Sequence, residues 1–247
     1  MIACLMFFIA CDKKQEPVTG SSSEQPSVST ESSKNNENII STEEKPVEKV
    51  PVPENLVTEG LIALGYPFEH TITYSITGTQ NGEMEDTREV RVAKTESDKV
   101  TLESQWKGVM TMQMGGEKYE SNKDGIFITH IGDKELPEKP MLIPAKLTPG
   151  KSWKVSYSIE PLGLEKINVQ GTAKVVGKKK ITTELGIHDA WLVEEKSKMT
   201  GPTADMTFET QVYYVDGIGT VKIEIKQKGK FQDQDVNQNV TIQAVKK

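Results

Sequence analysis

The chain has 247 residues, with 36 acidic and 30 basic side chains, a net charge of −6 at neutral pH, and 35% hydrophobic residues. An acidic chain with no basic stripe interleaved with aromatics excludes a nucleic-acid role. Two cysteines, Cys4 and Cys11, are too few for a disulfide framework. The acidity is uneven, since residues 12–55 hold nine acids and five lysines, whereas residues 56–247 hold twenty-seven acids and twenty-five bases, of which only Arg88 and Arg91 are arginines.

Met1 to Ala10 is an uninterrupted apolar run that Cys11 closes, and Asp12-Lys13-Lys14 follows at once. About 18 to 20 apolar residues are needed to cross a bilayer, roughly twice what is present, so the run is not a transmembrane helix. Nor does any apolar periodicity follow that could cover it as a core element. The residues Phe8-Ile9-Ala10-Cys11 resemble the lipobox of bacterial lipoproteins. That resemblance implies a signal peptide over residues 1–11 and lipidation of Cys11, and so a mature chain anchored to the extracytoplasmic side of the bacterial cell membrane. Each buried methylene contributes about 0.8 kcal/mol, so two or three acyl chains on Cys11 would anchor durably. No Lys or Arg precedes the run, as a signal peptide's basic n-region would supply, and a start codon upstream of Met1 is one explanation.

Residues 12–55 turn abruptly to Ser, Glu, Pro, Thr, Asn and Lys, as in Ser21-Ser22-Ser23 and Glu43-Glu44-Lys45-Pro46. Such a stretch buries too little apolar area to offset the entropy of ordering it, and it is expected to be a disordered tether. As a flexible coil it would reach about 35 to 40 Å on average. The closing Pro46 to Pro53 favours extended polyproline conformations and serves as a spacer.

From Leu56 to Lys247 the pattern is that of an antiparallel sheet. Ile72, Tyr74 and Ile76 alternate with polar residues, as do Val90 and Val92, Val155, Tyr157 and Ile159, and Val221, Ile223 and Ile225. Turn signals fall at Asn81-Gly82, Gly115-Gly116, Asp124-Gly125, Gly186 and Asp216-Gly217. Helical periodicity is confined to a turn or two around Asn55 to Leu64. Pro137, Pro140, Pro144 and Pro149 forbid a central strand between Leu136 and Gly150, and predict an extended edge or a cover. Lys178-Lys179-Lys180 after Gly177 reads as a solvated hairpin turn. About ten strands in one domain suit an all-β fold, an antiparallel curved sheet that is half-barrel or barrel-like, following the disordered N-terminal tether.

The segments Leu147-Thr148-Pro149-Gly150-Lys151-Ser152-Trp153, Val176-Gly177 through Ile181-Thr182, Gly186-Ile187-His188-Asp189-Ala190-Trp191, Tyr213-Tyr214 and Gly217-Ile218-Gly219-Thr220-Val221-Lys222 resemble uncharacterised bacterial secreted and lipoprotein β-domains. The resemblance covers about the last hundred residues. It implies an envelope β-domain in which the glycines and aromatics mark corners and core, and it carries over no catalytic residue.

The search for chemistry is mostly negative. His70, His130 and His188 stand on separate elements, no Gly-x-Ser-x-Gly elbow is present, and the mature chain has no nucleophilic cysteine. No metal site, cofactor or enzymatic activity is expected. The acidic clusters Glu83-Glu85-Asp86 and Glu194-Glu195 read as exposed loop charge, and neighbours on a strand point to opposite faces in any case. Met110, Met112 and Met114 share one strand face at about 6.6 Å spacing, which suits core packing or a soft apolar groove better than convergence on one ion. The leading functional expectation is therefore a non-catalytic binding domain for an apolar ligand or envelope component, with Met110, Met112, Met114, Trp153 and Trp191 lining a concave face. A protein-interaction or spacer module of the envelope is the alternative, and a hydrolase whose site is not visible in sequence the third reading.

Overall fold

Residues 50–69, 71–79, 82–108, 115–160 and 165–246 are described by the structure, a computed structural model. The signal segment, residues 12–49, His70, Asn81 and the stripe Met110, Met112 and Met114 lie outside them.

Period-two alternation becomes thirteen strands in one antiparallel sheet among the described residues. They are β1 (Ile72–Thr79), β2 (Gly82–Thr95), β3 (Lys99–Trp106), β4 (Gly116–Asn122), β5 (Gly125–Ile131), β6 (Lys134–Glu135) and β7 (Met141–Pro144), then β8 (Ser152–Ile159), β9 (Ile167–Thr183), β10 (Gly186–Gly201), β11 (Ala204–Val215), β12 (Gly219–Phe231) and β13 (Gln234–Val245). Consecutive strands pair as hairpins from β1 to β6 and from β8 to β13, and β1 pairs with β13, so the order runs β6-β5-β4-β3-β2-β1-β13-β12-β11-β10-β9-β8. β7 pairs with β5 beside β6. The sheet curls into a nearly closed barrel whose two edges face each other between β7 and β8. There a side chain replaces the missing backbone ladder, as Trp153 Nε1 donates to the Met141 carbonyl at 3.0 Å.

The proline-bearing segment thus forms the edge that its prolines predict. β6 and β7 are the short strands that alternation alone does not show, which is why the count exceeds ten. The helical signal is also real. A 3-10 turn over Glu54–Leu56 precedes α1 (Glu59–Leu64), whose N-cap Thr58 accepts from Leu61 N at 3.1 Å. Gly65 ends α1 in the left-handed region, at φ 119°, and a Cβ there would lie 2.9 Å from the Ile218 carbonyl. Leu61, Ala63 and Leu64 are buried. Gly60 N bonds the Ala145 carbonyl and Gly217 N bonds the Ile62 carbonyl, so α1 ties the end of β7 to the β11–β12 turn.

Two local readings are corrected. Lys178, Lys179 and Lys180 lie inside β9, paired with Trp191, Ala190 and Asp189, and the hairpin turn comes later, between Thr183 and Gly186. Gly177 sits beside a register shift opposite Leu192 and Val193, so it marks a β-bulge, and the lysines stay solvated on a strand. The acidic clusters are likewise in strands, not loops. Asp86 is 3% exposed in β2 and Glu195 is 9% exposed in β10, because both take inward positions of the alternation.

Candidate functional site

Two polar constellations stand out, one inside the sheet and one on its outer face. The inner one is built on Arg88 of β2. Its Nε donates to Ser104 Oγ at 2.8 Å, and its Nη2 donates to Tyr119 Oη at 2.7 Å and to Glu117 at 3.3 Å. The guanidinium also lies 5.6 Å from the centroid of the Trp106 ring. Tyr119 in turn donates to Glu117 Oε2, and Tyr74 donates to the Thr220 carbonyl at 2.7 Å. The Arg88 and Glu117 side chains are only 12% and 7% exposed.

Burial opposes the charge on Arg88, but the surrounding oxygens of Tyr119, Glu117, Tyr74 and Tyr214 outweigh it and hold the guanidinium protonated beyond its ordinary range. Burial pushes the Tyr74 phenol up to about 12 against the opposing pull of Arg88. It raises Tyr119 and Tyr214 above the ordinary tyrosine range for the same reason. Two voids flank the guanidinium, each of about 20 Å³. That is room for a single water molecule. Every charge in this cluster has an internal partner, so its chemistry is spent on holding β1, β2, β3, β4 and β12 together.

The outer constellation follows from register. On β9 to β13, the side chains between buried positions face solvent, and hairpin pairing aligns them in rows across the strands. One row runs Gln170, Lys198, Thr207, Lys228, Asn237. The next runs Lys196, Glu209, Lys226, Asn239. Between them lies an open trough of about 680 Å³. Its floor is the backbone of Ser197, Phe208 and Gln227, whose side chains are buried on the opposite side, and of half-buried Gln238. The lining carries no outward aliphatic or aromatic side chain.

The structure does not bring the predicted tryptophans together. Trp153 on β8 and Trp191 on β10 both pack against the interior core, but β9 separates them. Trp153 lies in the cross-strand row of Ala173 and Glu195, four residues from Trp191, which is about 13 Å along a strand. Trp153 is the seam donor described above, and Trp191 lies under Lys178 Nζ at 5.0 Å from its ring centroid. Cys11, Met110, Met112 and Met114 lie outside the described residues. His130 Nδ1 contacts Thr129 Oγ1 at 3.1 Å, and His188 occupies another strand. Among the described residues no group of three or more His, Cys, Asp or Glu could hold a metal ion, and no helix is long and apolar enough to cross a membrane.

No family model and no curated protein matches this chain. Among solved structures it is similar to a candidate exported protein with a YmcC-like fold from Bacteroides fragilis, at 12% identity and a TM-score of 0.47, covering 72% of this chain and 95% of that one. A candidate lipoprotein from Parabacteroides distasonis matches at 13% identity and a TM-score of 0.44, over 69% of this chain and 91% of that one. The hypothetical lipoprotein YmcC from Escherichia coli matches at 11% identity and a TM-score of 0.35, over 78% and 90%. At these identities no residue role passes from one chain to another.

Proposed function

We propose that the protein is a non-catalytic binding domain of the bacterial envelope, anchored through lipid on Cys11, that presents the trough across β9 to β13 to an envelope component. The observation that carries this reading is the contrast in space. The trough offers about 680 Å³, whereas each void beside Arg88 in the interior offers about 20 Å³. An apolar ligand held inside the sheet draws no support from the described core, and that version now depends on Met110, Met112 and Met114. The trough, by contrast, is open and lined by charged, amide and hydroxyl side chains together with their aliphatic stems, on the strands β9 to β13.

A photo-crosslinking residue at Thr207, in the trough, and another at Gln243, on a β13 position away from it, test the reading in the native host. Capture of an envelope component at Thr207 and not at Gln243 is the expected result. Equal labelling at both sites, or none at Thr207, removes the trough as a ligand face. The anchor has its own test: Cys11→Ala should move the protein from the membrane fraction to the soluble fraction, and retention in the membrane would refute lipid attachment there.

A further inference from the structure

Resting on the trough as the ligand face, we infer that its ligand is an anionic, hydroxyl-bearing linear polymer lying across the strands, with its phosphate or carboxylate groups held by Lys226 and Lys228.

Shape comes first. The trough crosses five neighbouring strands, so four inter-strand steps of about 4.8 Å make it about 19 Å long. Its two walls stand two residues apart on each strand, about 7 Å. Those dimensions fit one extended chain and leave no room for a folded domain to enter.

Charge comes second. Four lysines line the trough against one carboxylate, Glu209. Lys196 is held by Glu209 at 3.1 Å, and Lys198 by Asp205 at 2.9 Å. Lys226 and Lys228 make no ion pair among the described residues, and both are exposed. They stand on opposite walls at the same strand, β12, so their ammonium groups face a chain in the trough from both sides. Each is a strongly hydrated point charge suited to an anionic oxygen.

Chemistry comes third. Gln170, Asn237 and Asn239 add amide groups that both donate and accept, which matches hydroxyl and ring oxygens. The apolar surface of the trough comes from the stems of these polar side chains, and no outward aliphatic or aromatic side chain is there to seat an acyl chain. A protein partner would find no pocket for the buried aromatic or aliphatic anchors that dominate such interfaces.

The experiment measures binding of the full lipidated chain, in neutral detergent, to three fluorescently labelled polymers: polygalacturonate, poly(glycerol phosphate) and neutral dextran. At least one anionic polymer is expected to bind and dextran is not; which of the two binds separates a carboxylate from a phosphate source. Raising NaCl from about 50 to 500 mM should weaken binding about tenfold or more, since the contacts are exposed and screened. The double variant Lys226→Gln/Lys228→Gln should lose about tenfold in affinity, while Lys123→Gln/Lys151→Gln, with the same change in net charge away from the trough, should bind as the parent does. Dextran binding equal to the anionic polymers, or full binding by the Lys226/Lys228 variant, overturns the inference. Binding to none of the three while Thr207 still captures an envelope component overturns the ligand class alone; loss of Thr207 capture overturns the ligand face with it.

Discussion

Arg88 and the pair Lys226 and Lys228 are cations on the same sheet, and they have opposite surroundings. Arg88 points inward, 12% exposed, with Ser104, Glu117 and Tyr119 accepting from its Nε and Nη2 and the Trp106 ring against its guanidinium. Lys226 and Lys228 point outward from β12 into an open trough, and among the described residues neither makes an ion pair. A buried charge must be matched within the fold or the fold is lost. An exposed charge is matched by water at little cost and can exchange that water for a ligand. The first arrangement spends charge on structure, and the second keeps it available.

The largest expected effect comes from breaking the inner match. Arg88→Met leaves Glu117 buried without its cation, with only the Tyr119 hydroxyl still donating to it, and should cost about 3–5 kcal/mol of stability. Urea unfolding followed by far-ultraviolet circular dichroism reads this directly. Arg88→Met/Glu117→Leu should recover much of the loss, because removing both partners also removes the desolvation penalty. A single variant as stable as the parent would mean that the cluster does not hold the strands together.

The buried phenols sharpen the same point through pH. The Tyr74 phenol is raised in the folded state to about 12 from 10, and Tyr119 and Tyr214 are raised as well. The unfolded chain therefore loses these protons first as pH rises. Their contribution is complete below about pH 10 and declines between about 10 and 12, by about 1.4 kcal/mol per pH unit for each phenol still protonated in the fold. Denaturant midpoints measured from pH 8 to 12 should fall steeply above 10, and less steeply for Tyr74→Phe. Phenolate absorbance appearing in the folded protein near pH 10 at all six tyrosines would contradict this.

A smaller effect is expected at the seam. Trp153→Phe keeps an aromatic ring but removes the indole N–H that donates to the Met141 carbonyl, and loss of that hydrogen bond is worth about 1 kcal/mol. Hydrogen exchange should then rise in β7 and β8 before it rises in β1, β12 or β13, which are paired on both sides. Uniform acceleration across the sheet would show that the seam is not where the barrel opens.

The parts of this architecture that were legible in sequence are the local ones. Alternation in Tyr74 and Ile76, or in Val221, Ile223 and Ile225, reports burial directly, and the prolines around Met141 to Ile143 mark an edge because proline cannot join a central ladder. Gly177 and the three lysines after it misled because a bulge and a turn use the same residues. Arg88 was passed over, although its rarity among twenty-eight lysines was a signal. Its partners Ser104, Glu117 and Tyr119 lie 16 to 31 positions away, and only the curl of the sheet delivers them. The trough left a fainter trace, in the outward pairs Lys196 and Lys198, Lys226 and Lys228, and Asn237 and Asn239. Each pair alone reads as an ordinary solvated face, and register across four hairpins makes them two walls.

The smallest expected change in stability is also the one that separates the two kinds of charge most cleanly. Lys226→Gln/Lys228→Gln removes two ammonium groups that make no ion pair among the described residues, so folding free energy should stay within about 0.5 kcal/mol of the parent. If the lysines repel one another across the trough, the change should favour the variant, most visibly at low salt, where screening is weakest. A loss of more than about 1 kcal/mol would place Lys226 and Lys228 with Arg88 as structural charges. The walls of the trough would then owe their composition to the fold and not to a ligand.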